Sequence, residues 1–194
     1  MRSFVFGNGR SRLNIKFDEV KPYGKVYACN AVYREYTPDY LVAVDPKMII
    51  EIEASGYQMR NQVWTNPNSR YKDFKGFNYF SPSLGWSSGP TALHLATQHA
   101  PDEVYIFGFD YTGVNGFLNN VYGDTPNYKK NSEPATFYGN WTRQTETIIK
   151  DNKRIKYFRI VEREYHDPKW QYPNFKHLTY ESFREIMSTW AKNA

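Results

Sequence analysis

Four short segments of this 194-residue chain end an apolar run on a small or polar residue: Gly7-Asn8-Gly9, Cys29-Asn30, Asp45-Pro46 and Gly108-Phe109-Asp110. Glycines at such places let the main chain approach a phosphate, and free N–H groups in the turn can donate to it. The side-chain amides of Asn8 and Asn30 both donate and accept, which suits a base or a ribose. Asp45 and Asp110 can accept from ribose hydroxyls, hold a cation or take a proton as general base, and Tyr111 follows directly. Ser87-Ser88-Gly89 precedes Pro90 at the start of a helical pattern, where amides, hydroxyls and the helix dipole favour an anion. Each segment alone is ordinary: Gly-Asn-Gly makes a tight turn, Asp-Pro starts a helix and Ser-Ser-Gly caps one. Their recurrence at successive strand ends is what points to a ligand.

Other chemistries find little support. His94 and His99 are five apart and do not share a helix face, while His166 and His177 fall in or beside a C-terminal loop. With a single cysteine and no His-x-x-x-His pair, no structural zinc site is expected. Cys29 has no basic neighbour in sequence and reads as a small buried apolar side chain. Gly7-x-Gly9 does not extend to the dinucleotide fingerprint, because Arg12 stands where its third glycine would be, and no phosphate-loop lysine motif occurs.

The elements that must position these residues alternate along the chain. Strands are expected at Ser3–Gly7, Lys25–Asn30, Tyr40–Asp45, Glu103–Gly108 and Ile155–Val161, with weaker ones at Gln62–Thr65 and Phe77–Phe80. Helices are expected at Pro46–Ser55, stopped by Gly56, from Ser87 to about Pro101, at Trp141–Asn152 and at Tyr180–Ala191. Asn66–Lys75, 112–137 and Tyr165–His177 read as loops. The second of these is long for a compact domain and reads as a mobile lid that orders over bound ligand, bringing Tyr111, Tyr122 or Tyr128 to it. This alternation predicts an α/β fold: a single Rossmann-like, three-layer domain over residues 1–194 with a largely parallel sheet. Ligands of such sheets bind beyond the carboxyl ends of the strands.

Composition narrows the class. A hydrophobic fraction of 40% with 23% charged residues describes a globular chain. No apolar run approaches membrane-spanning length, and the amino-terminal residues lack a signal-peptide pattern, so a cytoplasmic protein is expected. The single cysteine agrees with a reducing compartment. A net charge of +5, scattered apart from a looser run between Lys150 and Arg163, favours anionic ligands without indicating nucleic acid.

These segments, in this order, resemble the bacterial lipooligosaccharide sialyltransferases of glycosyltransferase family forty-two. They also resemble the related group of flagellin-modifying glycosyltransferases and a hydroxymethylpterin diphosphokinase. Gly7-Asn8-Gly9-Arg10-Ser11 is similar to the family's opening segment, with Arg10 in place of proline. Tyr27–Asn30 is similar to its second strand, Pro38–Pro46 to the second group's Pro-Asp and Asp-Pro signature, Ser87-Ser88-Gly89 to the turn before its central helix, and Val104–Tyr111 to the strand ending Gly-x-Asp-Tyr. The resemblance covers roughly residues 1–150. It implies a sialyltransferase-like variant of the glycosyltransferase fold called GT-A and a CMP-type nucleotide-sugar donor. It also implies a hydroxyl acceptor and no obligatory cofactor. The nucleotide would lie among Gly7, Asn8, Gly9, Asn30, Asp45, Ser87, Ser88, Gly89, Gly108 and Asp110. The family's catalytic histidine corresponds to Asn140, which takes no proton near neutral pH. A substitute base is therefore expected, with Asp110 the first choice, Asp45 and His166 the others, and Tyr111 beside it. The alternatives are a Mg²⁺-dependent diphosphokinase using Asp45 and Asp110, or a nucleotide binder that performs no transfer.

Overall fold

The computed structural model describes residues 1–192. Its strands are β1 (Arg2–Phe6), β2 (Lys25–Cys29), β3 (Tyr40–Val42), β4 (Val63–Thr65), β5 (Asn78–Tyr79), β6 (Glu103–Phe107), β7 (Lys156–Ile160) and β8 (Phe175–Leu178). They form one eight-stranded sheet in the order β5-β4-β3-β2-β1-β6-β7-β8. Every neighbouring pair is parallel. The helices are α1 (Phe17–Val20), α2 (Pro46–Ser55), α3 (Ser88–Gln98), α4 (Gly139–Asp151) and α5 (Tyr180–Lys192).

Both faces of the central strands are buried, which is why they read as unbroken apolar runs. Phe4, Phe6, Tyr105 and Phe107 pack on one side with Ile49 and Ile52 of α2 and Phe183 and Trp190 of α5. Val5, Val104 and Ile106 turn to the other side, against Ala92, Leu93 and Ala96 of α3 and Ile148 and Ile149 of α4. The result is the expected Rossmann-like three-layer arrangement. Among the described residues no helix is long and apolar enough to cross a membrane.

Local chemistry sets the helix ends. Asp45 caps α2, its Oδ1 accepting from Lys47 N at 2.9 Å, and Gly56 ends it with φ 72°. Two elements differ from expectation: the one-turn helix α1, which no sequence pattern announced, and β8. The segment Tyr165–His177, read as loop, gives its last residues to β8. On this edge strand only Phe175 is buried, Lys176 is exposed and His177 and Leu178 are half-buried, so it carries less hydrophobic signal than the central runs.

Candidate functional site

From β1 the chain builds the sheet outward through β2 to β5, then returns to place β6 on the other side of β1. That reversal opens a crevice beyond the carboxyl ends of β1 and β6, the place where open α/β sheets bind ligands. Glycines hold the two exits together. Gly7 N donates to Phe107 O at 2.8 Å and Gly9 N to Gly108 O at 3.0 Å. A β-carbon on Gly9 would lie 2.5 Å from Asp110 Oδ2 and 2.6 Å from Gly108 O. The glycines of Gly7-Asn8-Gly9 and Gly108 therefore serve the approach of one strand exit to the other.

Above them lies a cavity of about 250 Å³ whose walls include Asn8, Asn30, Asp45, Gly108, Asp110 and Tyr111. This is just below the usual range of small-molecule sites, roughly 300 to 1,000 Å³. Residues from four strand ends, those of β1, β2, β3 and β6, thus share one space. The loop that follows β6 and the start of α4 close it with Asn119, Tyr128, Lys129, Tyr138 and Trp141.

Two asparagines of the wall have unmet hydrogen-bonding capacity. Asn8 is 3% exposed; its Nδ2 donates to Cys29 O at 3.0 Å, which fixes the amide's orientation and leaves Oδ1 buried without a partner. Asn30, with φ 56°, likewise has a buried, unpartnered Oδ1. Unmet acceptors of this kind are costly unless a water or a ligand supplies a donor.

The two carboxylates differ. Asp110 accepts from Ser11 N at 3.1 Å, from Ser11 Oγ and from Asn119 Nδ2 at 2.9 Å, so both its oxygens are engaged. Asn119 Oδ1 in turn accepts from Arg10 N at 2.8 Å, which closes the turn after Gly9. Asp45 is exposed at the rim, and only its Oδ1 is used, in capping α2. Tyr111 has φ 57° and a buried Oη without a partner. Burial pushes its phenol up to about 12, while the Arg159 guanidinium, 4.5 Å from the ring centre, pulls the other way.

Ser87, Ser88 and Gly89 do not join this cavity. Ser87 N donates to Gln144 Oε1 at 3.1 Å, Ser88 Oγ accepts from Val44 N at 3.1 Å, and the Trp141 ring sits directly over Gly89. The amino-terminal end of α3, expected to hold an anion, is instead covered by the first turns of α4. A helix from a distant part of the chain supplies that cover, which local sequence does not disclose.

The segment 112–137, expected to be a lid, is folded down onto the body. Val121 N donates to Asn8 O at 2.9 Å. Tyr122 Oη donates to Glu35 Oε1 at 2.6 Å and accepts from Arg12 at 3.0 Å. Arg34 reaches Thr125 Oγ1 at 2.9 Å and Pro126 O at 2.8 Å. Of the tyrosines expected to reach ligand, Tyr111 and Tyr128 line the cavity, while the Tyr122 hydroxyl is committed to Arg12 and Glu35. His166, in the β7–β8 connection, and His177, on β8, stack on each other, and neither lines the cavity. Sequence reasoning missed Trp141, Tyr138 and Lys129 as walls, because they come from a segment without periodicity and from the first turn of a later helix.

Compared with known proteins, the chain matches no family model, no curated protein and no solved structure.

Proposed function

We propose that this chain binds a nucleotide or nucleotide-sugar in the crevice between the β1 and β6 exits, with a CMP-type donor favoured, and transfers the sugar to a hydroxyl acceptor. The observation that carries the reading is the pair of buried, unpartnered Oδ1 atoms on Asn8 and Asn30, both residues of the cavity wall. A ligand rich in N–H and O–H donors, such as an amino-bearing base on a ribose, is the complement of two such acceptors. Lys129, at the rim, is the cation available to a phosphate.

In the transfer step the acceptor oxygen attacks the anomeric carbon and the bond from that carbon to the phosphate oxygen breaks. The nucleotide leaves with the bonding electrons. The acceptor's proton goes to a carboxylate, and Asp45, with one oxygen uncommitted, suits this role better than Asp110. Two carboxylates in one cavity also suggest a Mg²⁺-dependent phosphotransferase. The residues fit that less well, because Ser11 and Asn119 already direct three hydrogen bonds at the Asp110 carboxylate.

The test is calorimetric titration with CMP, UMP, GMP and ATP, each with and without Mg²⁺. Metal-independent binding of CMP is expected, weakened about five- to 150-fold in Asn8→Ala for one lost buried hydrogen bond. Binding of none of the four overturns the reading, and strictly Mg²⁺-dependent binding of ATP alone replaces it with phosphotransfer.

A further inference from the structure

Arg159 occupies β7 at a position facing the α3 and α4 layer, where the alternation that buries Tyr157 calls for an apolar side chain. It is 1% exposed, and no ion pair among the described residues includes it. Its guanidinium is held instead by main-chain carbonyls from two loops. Nε donates to Phe109 O at 2.7 Å and Nη2 to Asp110 O at 3.2 Å. Nη1 donates to Tyr165 O and to Asp167 O, both at 2.9 Å. The Tyr111 ring covers one face. A buried cation is retained only where such a cage satisfies its donors, and the rigid fork of arginine reaches four acceptors where an ammonium cannot.

The cage is one step from the cavity. The carbonyls of Phe109 and Asp110 belong to the turn that carries the Asp110 carboxylate and sets Tyr111 at its positive φ. That carboxylate grips Ser11, and Asn119 grips both Asp110 and Arg10. We infer that Arg159 is a positioning residue: it fixes the Phe109–Tyr111 main chain, and through the Asp110 carboxylate it holds the Gly9–Ser11 turn and the base of the 112–137 loop around the ligand. This rests on the reading of the cavity as a nucleotide site.

The experiment compares Arg159→Met, Arg159→Lys and Tyr157→Phe with wild type by CMP calorimetry and by amide hydrogen exchange. Tyr157 loses its bond to Thr97 in that control but lies outside the cavity. Arg159→Met is expected to weaken CMP about tenfold or more and to speed exchange at Ser11 and Asn119 as well as at 163–170. Arg159→Lys, which keeps the charge without the fork, should recover only part of both, and Tyr157→Phe should leave both near wild type. A role confined to fastening the β7–β8 connection predicts faster exchange at 163–170 alone with unchanged CMP affinity, and that result overturns the inference. If Arg159→Met does not fold, Arg159→Lys decides: wild-type affinity and wild-type exchange at Ser11 and Asn119 overturn it. Failure of wild type to bind CMP, UMP, GMP or ATP refutes the nucleotide reading itself and the inference with it. Wild-type binding with an indifferent Arg159 refutes the inference alone.

Discussion

Gly9→Ala puts the arrangement of the two strand exits to a quantitative test. Gly9 has φ −61° and ψ 147°, a conformation any residue adopts, so alanine meets no backbone penalty there. By local rules the substitution should even stabilise, by about 0.4–1 kcal/mol, through the unfolded chain. The tertiary structure reverses the sign. The new methyl would sit 2.6 Å from Gly108 O and 2.5 Å from Asp110 Oδ2. Both contacts must be relieved, which requires β1 and β6 to part at their ends and the carboxylate to swing away. The first loses the Gly9 N–H bond to Gly108 O, about 1 kcal/mol; the second loses charged bonds to Ser11, about 1.5–3 kcal/mol. After the unfolded-state gain, a net loss of about 2–3 kcal/mol remains, or roughly 5–10 °C in Tm for a chain of this length. Urea unfolding followed by circular dichroism measures it. Gly116→Ala is the control, since Gly116 has φ 80° and nothing within 4 Å of a built β-carbon, which isolates the cost of backbone conformation. A Gly9→Ala protein within about 0.5 kcal/mol of wild type would falsify the interlocked-exit argument.

Other outcomes follow from the same geometry. If transfer occurs, Asp45→Asn should lower turnover by roughly 10²–10⁴ with donor affinity largely kept. Asp110→Asn should instead lose donor affinity and stability together, because an amide cannot accept at both oxygens; steady-state kinetics with calorimetry separates the two, and normal turnover in Asp45→Asn removes it as base. Burial pulls the His177 imidazole down to about 4, with Nδ1 left unpartnered and Nε2 bonded to Pro168 O. The unfolded chain therefore binds the extra proton first. Its contribution is intact above about pH 6.5 and is lost as pH falls toward 4, so the urea midpoint should drop less between pH 7 and 5 in His177→Gln than in wild type. An equal drop refutes the assignment. Tyr122→Phe removes the hydroxyl shared by Arg12 and Glu35 and should speed amide exchange across 118–128; unchanged exchange there would mean that other contacts hold the loop.

The central strands were legible because both faces are covered, so Phe4-Val5-Phe6 and Val104–Phe107 read as apolar runs whatever the partners are. The boundaries of α2 were legible for a local reason as well: Asp45, Pro46 and Gly56 act on main-chain groups within a few residues of themselves. The edge strand β8 was not, since Lys176 and His177 interrupt its two apolar residues. The location of the cavity at strand exits followed from parallel topology, and the four residues singled out there in the sequence, Asn8, Asn30, Asp45 and Asp110, are among its walls. What each does depends on neighbours far along the chain. Ser11 and Asn119 occupy the Asp110 carboxylate, Trp141 covers Gly89, and carbonyls at 109, 110, 165 and 167 converge on Arg159. Hydrogen bonds and steric contacts act over a few ångströms in space and carry no trace in local periodicity. The sequence therefore determined the layered sheet and the end at which its cavity lies. Only the tertiary structure decided which polar atoms of its wall remain without a partner, because whether a donor or acceptor is free depends on every group the fold brings within reach of it.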